Sequence, residues 1–258
     1  MLEQPRIHGT RWFGRLKLKQ FWAVVSRPKR KGWCPVCERM TLFVRLSDWL
    51  REDCRCARCI SSARGRALVS VLAEVVPGWR QRSILEFAPY GPVSARLERQ
   101  ARGYVGSVYL PDRAAGEMVG GYRNEDLRSL TFNDRMFDVV ISQDVFEHVF
   151  EPERGFSEIE RILKPGGVHV FTVPYFGSQP SRIRARLERG DVIHLEPPEF
   201  HGDPVNSDGA LVVTEWGEDL FATIQNSSGM MTERMQPHAP EQGIEGESLD
   251  VFVSRKPE

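Results

Sequence analysis

The sequence predicts an α/β protein built on a mostly parallel open sheet with helices on both faces, preceded by a small cysteine-bearing ribbon. Three observations carry that expectation. Asp138-Val139-Val140-Ile141 is a short apolar, β-branched run, the mark of a strand buried on both faces. Residues 153–163 place Phe156, Ile159, Ile162 and Leu163 on one helical face, with Glu158, Glu160 and Arg161 elsewhere. Lys164-Pro165-Gly166-Gly167 reads as a helix stop, and residues 168–173 as the next strand. Strand, helix and strand of this length make a right-handed parallel crossover.

In open α/β sheets ligands bind beyond the carboxyl ends of the strands. That rule sets Ser142, Gln143, Asp144, Glu147 and His148 at the mouth of a site. Asp144 also suits a helix cap and His148 a buried structural histidine, but the strand end favours function for at least one of the group.

The run FDVVIS, the EHV after it and the helix ending in ILKPGGVHVFTVP together resemble the second half of a class I S-adenosylmethionine-dependent methyltransferase. The resemblance implies a Rossmann-like methyltransferase domain, S-adenosylmethionine as cofactor, and a first strand ending in an acid. Ser83-Ile84-Leu85-Glu86-Phe87 matches that strand, with Glu86 as the acid. Such enzymes usually follow it with E/D-x-G-x-G-x-G, because glycine lets the backbone approach the cofactor. Here Ala88, Tyr90 and Pro92 stand at the glycine positions, and Gly91 lies between them. The EFAP loop resembles the variant found in zinc-bearing bacterial members.

The second strand is expected over residues 104–110. Its usual ribose-gripping acid falls near Val108, which accepts no hydrogen bond through its side chain, and Asp112 is the substitute four residues on. The alternative for Asp112 is a turn residue after Pro111. In Glu125-Asp126-Leu127 the resemblance implies an adenine contact, through the Asp126 carboxylate and the Leu127 backbone N–H. Gln143 and Asp144 complete the expected cofactor-binding set.

Length and composition limit the alternatives. At 258 residues the chain suits one ordinary domain plus a small module. Apolar residues at 41% and charged residues at 27% describe a globular chain. Lysine plus arginine equals aspartate plus glutamate at 35 each, which excludes a global basic field for nucleic acid. No apolar run approaches the ~18 residues of a membrane span. Five cysteines, four of them in CxxC pairs, point to a reducing, cytoplasmic setting and a metal in place of disulfides.

Residues 1–31 form a basic, aromatic arm, with Trp12, Phe13, Phe21 and Trp22 among arginines and lysines from Arg11 to Lys31. Two readings stand: an amphipathic helix that meets an anionic membrane surface, or a helix that packs its aromatics on the domain. RNA is a further partner for residues 11–31.

Cys34, Cys37, Cys56 and Cys59 follow as C-x2-C-x18-C-x2-C, the spacing of a structural zinc site on two tight turns. Cys54 is the spare. The ribbon is expected over 32–62, with a strand near 40–46, and a helix at about 61–76 docks it. The surrounding sequence resembles the C-x2-C-G-S-x2-R-x-R-A-L module of the same bacterial methyltransferases, with Ile60 in place of glycine. The methyltransferase domain then runs from 63 to 258.

Within that domain, 174–214 is an insertion, expected as a lid over the acceptor. It carries His194 and Pro197-Pro198-Glu199-Phe200-His201-Gly202-Asp203-Pro204. The spacing of its His, Glu and Asp residues matches no standard metal-ligand motif. A lid with His201 or His194 as catalytic base, or His148 in its place, is the preferred reading; the bland alternative is that His194 and His201 only pin the loop. The expected function is methyl transfer to a small-molecule or glycan-like acceptor. The alternatives are an RNA methyltransferase using the ribbon and arm, or a non-catalytic adaptor, which the substitutions at Ala88, Tyr90 and Val108 motivate.

Overall fold

The computed structural model describes residues 27–202 and 209–258. Most of the expected basic arm, with all four of its aromatic residues, and Asp203 and Pro204 of the insertion lie outside these residues. The described chain divides into two compact units, one of residues 27–80 with Tyr90–Gln100 and Met235–Val251, the other of Gln81–Pro89, Ala101–Arg234 and Phe252–Glu258.

The first unit holds the ribbon. Strands β1 (Lys29–Cys34), β2 (Arg39–Arg45) and β3 (Cys54–Cys56) form an antiparallel sheet in that order. The first three residues of β1, Lys29 to Lys31, lie inside the stretch expected as the arm. The helix Ala63–Val75 begins at Ser62, whose hydroxyl accepts from the Gly65 N–H at 3.3 Å. Gly65 is required there, because a Cβ would meet Val93 of the Gly91–Gln100 helix at 2.9 Å. Arg66, the second arginine of the R-x-R motif, is fully buried. It donates to Cys54 O at 2.8 Å, to Gly243 O at 2.6 Å and to Ser61 O, and lies 4.6 Å over the Phe43 ring. One planar guanidinium thus joins the ribbon, its helix and the 235–251 segment.

The second unit holds the large sheet. To the strands β4 (Ser83–Phe87), β5 (Gly103–Val108), β6 (Met118–Val119), β7 (Tyr122–Asn124), β8 (Phe137–Gln143) and β9 (Leu163–Thr172), the chain adds β16 (Met231–Met235) and β17 (Val251–Arg255) near its end. The order is β16-β17-β9-β8-β4-β5-β7-β6. β7, β5, β4, β8 and β9 run parallel, and β17 runs antiparallel to β9. The expected crossover is present: the helix Pro152–Ile162 connects β8 to β9 and buries Phe156, Ile159 and Ile162. Phe156 stacks on Phe146 at 4.0 Å between ring centroids, within a core that also takes in Phe171, Trp216, Ile224 and Phe252.

One local expectation is corrected. Lys164-Pro165-Gly166-Gly167 does not separate the helix from its strand, because β9 already starts at Leu163. Phe137 pairs with Leu163 and Val139 with Val168, so these four residues make an irregular bulge, with Gly166 at φ +69°.

The insertion is not a structureless loop. It folds into three two-stranded antiparallel ribbons: β10 (Arg182–Ile183) with β15 (Thr214–Glu215), β11 (Ala185–Glu188) with β12 (Asp191–His194), and β13 (Phe200–His201) with β14 (Ala210–Leu211). A bridge between Tyr175 and Trp216 joins the two ends of the excursion. The helix Leu220–Ser228 then leads to β16.

Candidate functional site

The parallel strands bring the expected cofactor residues to their carboxyl ends. Glu86, on β4, is fully buried; its Oε2 accepts from the Tyr104 hydroxyl at 2.7 Å and its Oε1 from Gln143 Nε2 at 3.1 Å. β5, β4 and β8 are thereby tied together by one carboxylate near the carboxyl end of β4. Tyr104 was not expected to have this role; no signal short of the strand register marks it out.

Ala88 follows directly, exposed, with φ +49° and its N–H donated to Ser107 O at 2.8 Å. The backbone at the first glycine position therefore keeps a glycine-like conformation although the residue is alanine. Gly91 has φ +73° and open space where a Cβ would stand. Ile60, the other residue found in place of an expected glycine, has φ +63°.

Val108 ends β5 with its side chain buried, so no acid stands at that strand end. Asp112 is exposed in the turn that follows. A residue not singled out from sequence, Asn124, organises this turn: its side chain accepts from the Leu110 N–H at 2.7 Å and donates to the carbonyls of Leu110, Arg113 and Ala114. Asp126 lies two residues on, gripped by Arg128 through Nη2 at 2.7 Å and the backbone N–H at 2.9 Å. Burial pushes its carboxyl up, but Arg128 outweighs burial and holds it below the ordinary range. Leu127 is buried, its methyl packed where a Gly155 side chain would otherwise be.

Asp144 sits at φ +51°, its N–H on Thr172 O at 2.9 Å and its Oδ1 accepting from the Thr172 hydroxyl at 2.8 Å. Just beyond, a 3-10 turn (Phe146–His148) presents Glu147 and His148. The insertion comes back to this turn: the Val213 N–H donates to Glu147 O at 2.7 Å, and His148 Nδ1 donates to Leu211 O at 2.8 Å. Because His201 pairs with Ala210 across the β13–β14 ribbon, it is carried to the same place. Its ring lies edge-on to His148 at 5.3 Å. Glu147, only 1% exposed, has its Oε1 3.7 Å from His148 Nε2 and 3.8 Å from His201 Nδ1. His194 is elsewhere, exposed at the end of β12.

In the other unit, the Sγ atoms of Cys34, Cys37, Cys56 and Cys59 lie within 4.8 Å of one another. Cys34–Cys59 is 3.7 Å and Cys37–Cys56 is 3.9 Å, against about 3.8 Å for tetrahedral ligands with Zn–S of about 2.3 Å. The Arg58 and Cys59 N–H groups point at Cys56 Sγ from 3.4 and 3.5 Å, as a thiolate requires. Cys54 is not part of this cluster; its thiol contacts Gly243 O and Arg66. Burial, then the neighbouring Cys34 and Cys56, push the Cys37 thiol up to about 11. A divalent cation would reverse that by compensating the crowded thiolates.

Residues 106–171 match the family model described as a methyltransferase domain. Together with the strand order and the antiparallel β17, this match decides the architecture. The fold is that of a class I methyltransferase. No match was found among curated proteins. Solved structures similar to this methyltransferase fold include an S-adenosylmethionine-dependent methyltransferase from Mesorhizobium loti, at 18% identity over 76% of this chain and 100% of that one, with a TM-score of 0.48. The YcgJ protein of Bacillus subtilis is 11% identical over 74% of this chain and 98% of its own, with a TM-score of 0.49.

Proposed function

We propose that the protein is an S-adenosylmethionine-dependent methyltransferase acting on a small-molecule or glycan-like acceptor, with a structural zinc in its ribbon. The observation that carries this reading is the end of β4, where buried Glu86 joins Tyr104 and Gln143 and Ala88 keeps the left-handed backbone expected of a glycine. These residues fit the cofactor at its methionine end. Asp126 and the Leu127 N–H suit the adenine, and Asp112 is left to serve the ribose, since Val108 offers no acceptor. Bound there, the cofactor would supply a methyl group already made electrophilic by its sulfonium.

Everything else falls to this chain. Alignment of donor and acceptor contributes as much as ~7–11 kcal/mol in favourable cases. His148 and His201 supply the basic nitrogens at the acceptor site. The Leu211 carbonyl fixes the proton on His148 Nδ1, so Nε2 presents its lone pair beside Glu147. The β13–β14 ribbon and Val213 after it bring the insertion against this position.

The test uses labelled S-adenosylmethionine and fractionated cell extract. Transfer of label to a small-molecule or glycan fraction is the expected result. His201→Ala should lower turnover by ~10²–10⁴ while melting temperature and cofactor affinity stay near wild type. A fall in turnover that merely follows loss of folded protein would remove His201 from the chemistry.

A further inference from the structure

We propose that Glu147, His148 and His201 form a binding site for a divalent transition-metal cation of the zinc class, separate from the four cysteines. The proposal rests on the methyltransferase reading above for its purpose; with a cation bound, the two histidines serve as ligands in place of bases.

The three side chains each offer one ligand atom, and those atoms lie within 4.8 Å of one another. Distances of 3.7 and 3.8 Å from the Glu147 oxygen to the two ring nitrogens are longer than hydrogen bonds. They lie within a few tenths of an ångström of the about 3.4 Å that separates tetrahedral ligands with metal–ligand bonds of about 2.1 Å. Two imidazoles and one carboxylate are the donor set of catalytic zinc, with the remaining positions open to solvent or substrate.

The outer partners also fit. A ligating histidine ordinarily gives its other ring N–H to a carbonyl or carboxylate. His148 Nδ1 donates to Leu211 O, and His201 Nε2 faces Glu199 Oε1 at 3.6 Å. Glu199 is itself held by Arg184 at 3.3 Å. A cation would balance the charge of a carboxylate as enclosed as Glu147. An acceptor hydroxyl bound in an open position would be acidified and release its proton to solvent.

Full-length protein carrying its ribbon metal is dialysed against cobalt(II), and metal per chain and the absorption spectrum are measured. The expected result is one equivalent beyond the cysteine site, with ligand-field bands and no added sulfur-to-metal charge transfer. Glu147→Gln, His148→Gln and His201→Ala should each weaken that equivalent at least tenfold and leave the ribbon's intact, with thermal melts recorded to certify folding. His201 is on a partly exposed ribbon end, so its variant guards against loss of fold in the other two. Absence of the additional equivalent in wild type, or its retention in folded His201→Ala, would overturn the proposal. Calorimetry with S-adenosylmethionine on the same samples separates the two readings. Cofactor binding without the additional metal removes the metal site alone, and the additional metal without cofactor binding removes the methyltransferase reading alone.

Discussion

Ile60 and Ala88 stand where the resembling enzymes carry glycine, and both keep the backbone a glycine would take, at φ +63° and +49°. For an L-residue the left-handed region costs roughly 1–2 kcal/mol, and a β-branched side chain makes it worse. Ile60 is exposed and its N–H still reaches Cys56 O at 2.9 Å. Ile60→Gly should therefore raise stability by about 1 kcal/mol, against the usual loss when a residue becomes glycine; a denaturant midpoint lower than wild type would contradict this. His169 is the other telling residue. It is fully buried on β9, shares a hydrogen bond with Ser142 at 2.9 Å and stacks on Phe171. Burial pushes its imidazole down to about 3. With a folded value below the ordinary ~6.5, the unfolded chain binds the extra proton, so stability present at neutral pH is lost as pH falls from about 6.5 towards 3. The slope from this group is about 1.4 kcal/mol per pH unit. His169→Asn should flatten it, and an unchanged pH profile of the denaturant midpoint would count against the assignment.

At the scale of elements, the ribbon was legible because CxxC pairs act locally: two tight turns determine which sulfurs meet, and the spare Cys54 is diverted to Arg66 and Gly243. Cys56→Ser should release the proposed zinc and unfold the ribbon, since structural zinc supplies folding energy to such modules; elemental analysis finding no zinc in wild type, or zinc retained in the variant, would sink this. Arg66→Met should cost several kcal/mol, because three buried carbonyls lose one donor and each such loss costs about 1–3 kcal/mol. The β8–helix–β9 unit was legible for the same local reason, its apolar period. What was not legible there is the bulge at Lys164–Gly167. Proline and two glycines read equally as a helix stop or as a break in strand register, and only pairing with β8 decides between them.

At the scale of the whole molecule, a mostly parallel sheet was expected but its strand order was not, and Ser142, Gln143, Asp144, Glu147 and His148 were set together only by the rule that ligands meet the carboxyl ends of parallel strands. The cluster of Glu147, His148 and His201 was only half visible. Glu147 and His148 were set at the site mouth from sequence, and His201 was set on a lid, but their meeting depends on the β13–β14 pairing and the Leu211 contact across more than 50 residues. Glu199 stands two residues before His201 and faces its Nε2 at 3.6 Å, while Glu147, 54 residues before His201, faces its Nδ1 at 3.8 Å. Asn124 and Tyr104 escaped notice because polar residues that brace a turn or a strand end carry no periodic signature.

The central claim is that the altered loop after β4 still binds S-adenosylmethionine. Isothermal calorimetry on folded, metal-loaded protein tests it most directly. Saturable binding at one site per chain is expected, weakened by ~1–3 kcal/mol in Asp126→Ala, the cost of leaving a buried partner unpaired. No heat of binding from well-folded wild type would contradict the account and leave a methyltransferase fold serving as an adaptor.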